Sequence, residues 1–69
     1  MKVRELAKVY SPLFLIFKNK YVAHLDKVWQ SKEQYNDVLE KYGDNEIDWL
    51  VPSHSQIEIN IKKEDKNGN

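Results

Sequence analysis

The sequence contains no cysteine and only two glycines, Gly43 and Gly68, among its 69 residues. Without cysteine the chain has no disulfide, no thiolate zinc site and no cysteine nucleophile. Two isolated glycines exclude the glycine-rich loops that hold phosphates and the Gly-x-Ser-x-Gly turn of hydrolases. A chain of this length seldom gains more than about 3–5 kcal/mol from its own core, so we expect very regular packing or a second subunit.

The sequence also has no long hydrophobic run and no net charge. The longest apolar run, residues 13–17, is far shorter than the roughly 20 residues of a membrane-spanning helix or the roughly 7–15 of a signal-peptide core, and we expect a cytoplasmic protein without a membrane span. The total of 11 basic and 11 acidic residues argues against a dedicated nucleic-acid binder.

The neutral total hides two segments of opposite charge. Residues 1–36 contain seven basic and three acidic side chains, whereas residues 37–48 contain five acidic side chains and one basic. This uneven distribution suits either head-to-tail contacts or a charged partner, and it is equally consistent with two solvated surfaces that differ in composition.

Two segments carry apolar residues at helical spacing. The first stripe predicts a short helix that ends before Ser11-Pro12, and consists of Val3, Leu6, Ala7 and Tyr10. The second helix is predicted to begin at Ser31, which forms a capping-box pattern with Gln34. Its stripe consists of Tyr35, Val38, Leu39 and Tyr42. Gly43 follows directly and predicts a left-handed C-cap.

Four segments predict strands that form two hairpins. Residues 13–17 and 21–25 flank a polar turn, and residues 47–51 and 57–61 flank the turn at 52–55. The pattern leaves open whether the second strand extends to Val28 and whether Trp29 lies in the core.

The order of helix, strand, strand, helix, strand, strand predicts one α+β domain over residues 1–62. We expect a four-stranded antiparallel sheet with two short helices packed on one face. Residues 63–69 contain no large apolar side chain, so we expect a disordered polar tail.

The predicted sheet carries more apolar surface than two short helices can cover. Phe14 and Ile16 face away from Leu13, Leu15 and Phe17, because side chains alternate along a strand. Large contiguous apolar patches are uncommon on monomers, so we expect a homodimer or a host protein to cover this face. The candidate interface residues are Phe14, Ile16, Trp29 and Trp49.

Two other binding modes remain open from the sequence. Aromatic rings beside cations stack on the bases of single-stranded nucleic acid, and the candidate contacts are Lys18, Lys20 and Tyr21. Alternatively, a strip of carboxylates imitates phosphate groups and inhibits a basic site on a host protein. The residues of this acidic strip are Asp37, Glu40, Asp44, Glu46 and Asp48.

No catalytic or metal-binding motif is complete in the sequence. His24 and His54 have no further ligands at zinc-site spacing, and the carboxylates of residues 44–48 lack the Gly and Glu positions of a calcium loop. Residues 53–55 place hydroxyls next to an imidazole, but neighbours in a turn do not give the geometry of nucleophile, base and orienting group. We therefore expect a non-enzymatic protein without metal or cofactor.

Three segments together resemble the small uncharacterised proteins of phages and mobile elements in low-GC Gram-positive bacteria. They are the opening at 1–6, the stretch from Val38 to Ile47, and the closing strand from Ile57 to Ile61. The resemblance spans about residues 2–62 and lies in the pattern of elements. Such proteins share no single activity, so it implies no site residue. It implies an accessory role, exercised by binding a host protein.

Overall fold

The structure, a computed structural model, describes residues 1–63 and shows an α+β chain. Its elements are α1 (Val3–Ala7), β1 (Leu13–Phe17), β2 (Lys20–Leu25), α2 (Lys32–Tyr42), β3 (Ile47–Pro52) and β4 (Ile57–Ile61). Neither helix in this part of the chain has the length and hydrophobicity needed to cross a bilayer. Of the predicted polar tail, residues 64–69 lie outside the described residues, whereas the backbone N–H of Lys63 donates to Asn45 Oδ1 at 3.0 Å.

The sheet is mixed, so the prediction of a purely antiparallel sheet is wrong. Its strand order is β2-β1-β4-β3. The two hairpins, β1 with β2 and β3 with β4, are antiparallel, but β1 and β4 run parallel at the centre. The pairing within each hairpin agrees with the prediction. The predicted sheet differs from the observed one in the relative direction of β1 and β4, the strands through which the two hairpins pair.

The length of α2 explains why β1 and β4 run parallel. β2 ends beside the start of β1, with Leu25 opposite Leu13. The 11 residues of α2 span about 16 Å, which is also the span of a five-residue strand, so α2 carries the chain back to the far end of the sheet. There Ile47 begins β3 opposite Ile61. β4 therefore runs in the same direction as β1, and its isoleucines take the central position where burial is greatest.

The core lies on one face of the sheet. Leu13, Leu15 and Ile59 are fully buried there. The other members of the buried cluster are Val3, Leu6 and Ala7 of α1, Tyr42 of α2, Leu25 of β2 and Ile61 of β4. The predicted first helical stripe is thus confirmed except at Tyr10, which is exposed. The helix ends at Ala7 because the amides of Val9 and Tyr10 both donate to the Leu6 carbonyl in a closing turn.

The predicted capping box of α2 is confirmed. The amide of Gln34 donates to Ser31 Oγ at 3.1 Å, and the amide of Ser31 donates to Gln34 Oε1 at 3.1 Å. The prediction for the other end of the helix is wrong, since Gly43 has a right-handed conformation with φ −59°. Its N–H continues the helical pattern to the Leu39 carbonyl, so the helix needs no left-handed residue to end.

The β1–β2 hairpin has a two-residue turn whose central residues both have positive φ. Lys18 has φ 51° and Asn19 has φ 64°. These are the values of a type I′ turn, which matches the right-handed twist of the flanking strands and favours Asn followed by Gly. Lysine at the first position is therefore strained, because its Cβ crowds the following carbonyl.

Replacing Lys18-Asn19 by Asn-Gly will stabilise the fold by about 0.5–1 kcal/mol, since both replacements accept positive φ at lower steric cost. Urea denaturation measures the change. A Lys20→Asn variant removes a lysine from a strand position instead, and we expect no stabilisation from it. A turn variant no more stable than the original chain would contradict the argument.

Candidate functional site

The sheet face opposite the core carries side chains from all four strands. Directly opposite residues share a face, and the register places His24 and Glu58 opposite Phe14, and Val51 opposite Glu58. We call this surface the open face. Its members are Tyr21 and His24 on β2, Phe14 and Ile16 on β1, Glu58 and Asn60 on β4, and Trp49 and Val51 on β3.

The middle of the open face is polar. Glu58 and Asn60 on β4 are half-buried between the side chains of β1 and those of β3. The sequence predicts a continuous apolar patch on this face, and that prediction is wrong. The face is a polar column with hydrophobic and aromatic columns on both sides.

Three rings on β1 and β2 contact one another on this face. The ring of Phe14 lies 5.7 Å from that of His24 and 5.9 Å from that of Tyr21, measured between centroids. Tyr21 Oη and His24 Nδ1 are joined by a hydrogen bond of 2.6 Å. These contacts restrict the rotamers of the three rings. The rings would therefore lose little further side-chain entropy when a partner binds them.

A bulge in β3 turns Trp49 onto the open face. Ile47 lies opposite Ile61 on the core side, but Trp49 lies opposite Asn60, because the register shifts between these positions. Trp49 is 55% exposed, Leu50 41% and Val51 47%. β3 thus displays large apolar side chains on both of its faces.

The directions of the backbone N–H and C=O groups in β4 show which backbone groups of β3 are hydrogen-bonded within the sheet. The amide of Ile57 donates to the Pro12 carbonyl at 3.2 Å, so this residue directs its backbone groups toward β1. The amide of Lys62 donates to the Glu46 carbonyl at 3.2 Å, which is the β3 side. Backbone groups alternate along a strand, so Glu58 and Asn60 also direct theirs toward β3.

It follows that Leu50 directs its backbone N–H and C=O away from the sheet. Trp49 and Val51 are opposite Asn60 and Glu58 and complete the hydrogen bonds between β3 and β4. Leu50 lies between them, so its groups point to the outer side, where the strand order places no further strand of residues 1–63. Within residues 1–63 they have no backbone partner on that side, and strand edges of this kind template a new strand.

The N-terminal residues cover only one end of this outer side. Val3 N–H donates to the Asn45 carbonyl at 3.0 Å, and Ile47 N–H donates to the Met1 carbonyl at 2.9 Å. We call the remaining outer side of β3, residues 48–52, the free edge. It ends at Pro52, a residue that strands tolerate at edges.

The structure brings together three of the four predicted interface residues. Phe14, Ile16 and Trp49 share the open face, whereas Trp29 lies on the turn that follows β2 and is 86% exposed. Trp29 borders a shallow groove of about 480 Å³ between β2 and α2, which Ala23, His24, Gln30, Gln34, Asp37 and Val38 also line.

The turn that carries Trp29 is held by side chains. Asp26 Oδ1 accepts the N–H of Val28 at 2.9 Å and that of Trp29 at 3.1 Å. Gln30 Oε1 accepts the N–H of Asp26, and Gln30 Nε2 donates to the His24 carbonyl. Val28 and Trp29 are thus displayed on an ordered turn, and β2 does not extend through them.

Replacing Asp26 by alanine will destabilise the chain by about 1–2 kcal/mol, because two N–H groups of the turn lose their acceptor. Asp26→Asn keeps an acceptor oxygen and should retain most of the stability. Chemical denaturation compares the two variants. Equal losses in both would show that the carboxylate does not act through these hydrogen bonds.

The candidate nucleic-acid contacts do not share one face. Lys20 lies opposite Phe17, whose side chain packs against the core cluster, whereas Tyr21 lies opposite Ile16 on the open face. Lys18 Nζ lies over the ring of Phe17 at 5.4 Å from its centroid. The two lysines and the tyrosine therefore do not combine into a single stacking platform beside a basic groove.

The acidic strip is partly neutralised. Asp44 Oδ1 accepts from Arg4 Nε at 3.2 Å, and Glu46 Oε2 lies 3.3 Å from the N-terminal ammonium. Asp37 borders the groove beside α2, Glu40 lies on α2, and Asp48 lies at the bulge of β3. Asp44 and Glu46 thus have cationic partners within the chain.

Within residues 1–63, no group of three or more His, Cys, Asp or Glu side chains is placed to hold a metal ion. Burial raises the pKa of the Tyr35 hydroxyl above its ordinary value. His54 lies in the exposed turn between β3 and β4.

Sequence reasoning missed Leu50, Val51 and the Asp26 turn. The unbroken apolar triplet from Trp49 to Val51, followed directly by Pro52, is a signal for an edge strand exposed on both faces. Asp26 two residues before Val28 is likewise a signal for a turn held by a side chain.

Comparisons of the chain with protein-family models, with curated proteins and with solved structures give no match. The surfaces of residues 1–63 are therefore the basis for proposing a function.

Proposed function

We propose that this chain is a non-enzymatic interaction module that binds another protein through its open face. The observation that carries the proposal is the mutually packed set of Phe14, Tyr21 and His24 on the face opposite the core. Trp49 extends the same face at the other side of the sheet. Tyrosine and tryptophan are enriched among the few residues that carry most of the binding energy in protein interfaces.

The polar column defines the chemistry of the partner. Glu58 lies between Phe14 and Val51, so a suitable partner places a cationic or hydrogen-bond donor group there and apolar groups around it. A carboxylate enclosed by an interface requires such a partner, because desolvating it alone is unfavourable. We further propose an accessory role in the cytoplasm of a bacterial host.

Affinity capture tests this proposal. The immobilised chain is exposed to an extract of a low-GC Gram-positive bacterium, and captured proteins are quantified and then purified for direct binding. We expect Tyr21→Ala and Trp49→Ala each to lower the binding of the specific partner about tenfold or more, the range of an interface hot spot.

Trp29→Ala is the matched control, because it removes an exposed tryptophan that lies outside the open face. We expect this variant to bind as the original chain does. A partner whose affinity falls with Trp29→Ala and stays unchanged in both open-face variants would contradict the proposed surface.

A further inference from the structure

We propose that the free edge pairs with the free edge of a second copy of this chain, antiparallel and two-fold symmetric about Leu50. The inference goes beyond the proposed function, because it concerns the strand edge and not the open face. The paired copies would form one continuous eight-stranded sheet.

The backbone directions favour this register. Leu50 directs both its N–H and its C=O outward, so two copies centred on Leu50 exchange two hydrogen bonds at the symmetry axis. Centring on Asp48 instead would place two carboxylates opposite each other. Centring on Pro52 would place two residues without an N–H donor at the axis.

The side chains are also complementary in this register. Leu50 lies opposite Leu50 of the second copy on the core side of the sheet, and Trp49 lies opposite Val51 on the open face. All three are partly exposed in the single chain, and pairing covers them. Asp48 falls opposite Pro52, so no like charges face each other.

The length of the free edge also fits a second copy. Met1 occupies the outer side next to Ile47, which limits an added strand to residues 48–52. A second β3 has this length, because its chain turns back toward β4 at Ser53, whose N–H donates to the Gln56 carbonyl. The opposite edge, β2, has a bulge in its middle, where Tyr21 and Ala23 pair with consecutive residues of β1, whereas the bulge of β3 lies at Asp48, the end of the free edge.

Disulfide trapping tests the register, and the absence of native cysteine makes the readout clean. In the proposed pair the Cα atoms at position 50 are about 5.5 Å apart, within disulfide reach, so a Leu50→Cys variant should cross-link readily under mild oxidation. The control Asp48→Cys lies on the same edge, but its two copies are about 13 Å apart and should cross-link at least tenfold more slowly.

Sedimentation of the unmodified chain gives a second measurement that does not depend on any variant. We expect the average mass to rise from 8.2 kDa toward twice that value across the micromolar range. Leu50→Lys and Leu50→Asp should each remain at the mass of one chain, and their equimolar mixture should recover the dimer, because opposite charges then meet at the axis.

A monomeric unmodified chain throughout this range would overturn the proposal, as would cross-linking through position 48 as fast as through position 50. Failure of the dimer leaves the Tyr21→Ala arm of the capture experiment unaffected, because Tyr21 lies on the far side of the sheet from the free edge, whereas Trp49 lies on it. Loss of capture in Tyr21→Ala with an intact dimer would likewise separate the two claims.

Discussion

Replacing Leu15 by alanine will remove most of the stability of the fold and leave a substantial unfolded fraction at room temperature. Leu15 is fully buried on β1, between Ala23 of β2 and Ile59 of β4. A buried leucine truncated to alanine loses about 2–5 kcal/mol, since the lost burial and the new cavity add. A core of this size supplies only about 3–5 kcal/mol, so the loss removes most of the stability. Circular dichroism with urea denaturation measures it.

Leu50→Ala is the matched control, because it makes the same chemical change at a position that is 41% exposed. In dilute solution we expect it to change the free energy of unfolding by no more than about 0.5 kcal/mol. Similar losses from the two variants would contradict the assignment of Leu15 to the core and Leu50 to the edge.

Replacing Gly43 by alanine will destabilise the fold by about 1–3 kcal/mol, because the added methyl group overpacks a filled site. A Cβ at this position overlaps the backbone oxygen of Leu39 and lies 3.0 Å from Arg4 Nη2. The backbone is held there from both sides. The amide of Gly43 donates to the Leu39 carbonyl, and the amide of Arg4 donates to the Gly43 carbonyl at 2.8 Å.

A double variant shows which neighbour causes the loss. Arg4 is a flexible side chain that can move away, whereas the Leu39 carbonyl belongs to α2 and cannot shift alone. We therefore expect Arg4→Ala combined with Gly43→Ala to recover little of the stability lost by Gly43→Ala. Full recovery would show that the added Cβ clashes with Arg4 and not with Leu39. An unaltered stability in Gly43→Ala would contradict the close approach at this position.

The local elements could be predicted from sequence because short-range chemistry determines them. The Ser31 and Gln34 capping pair and the alternating isoleucines of β4 each act over a few residues. The parallel pairing of β1 with β4 could not be predicted in this way. It depends on where α2 returns the chain, which is a property of the whole path.

The open face was only partly predictable for the same reason. Alternation along β1 places Phe14 and Ile16 opposite the core, but it does not show that Glu58 and Asn60 lie beside them. The partners of Asp44 and Glu46 come from the other end of the chain. The exposure of Leu50 follows from β3 being an edge strand, and only the strand order reveals this.

Residue-resolved amide hydrogen exchange tests the free edge most directly. In dilute solution we expect the Leu50 amide to exchange rapidly while those of Trp49 and Val51, which point toward β4, are protected. Raising the protein concentration should slow exchange at Leu50 as a second strand pairs with it. A Leu50 amide that exchanges at one rate at every concentration would contradict an edge that binds a protein strand.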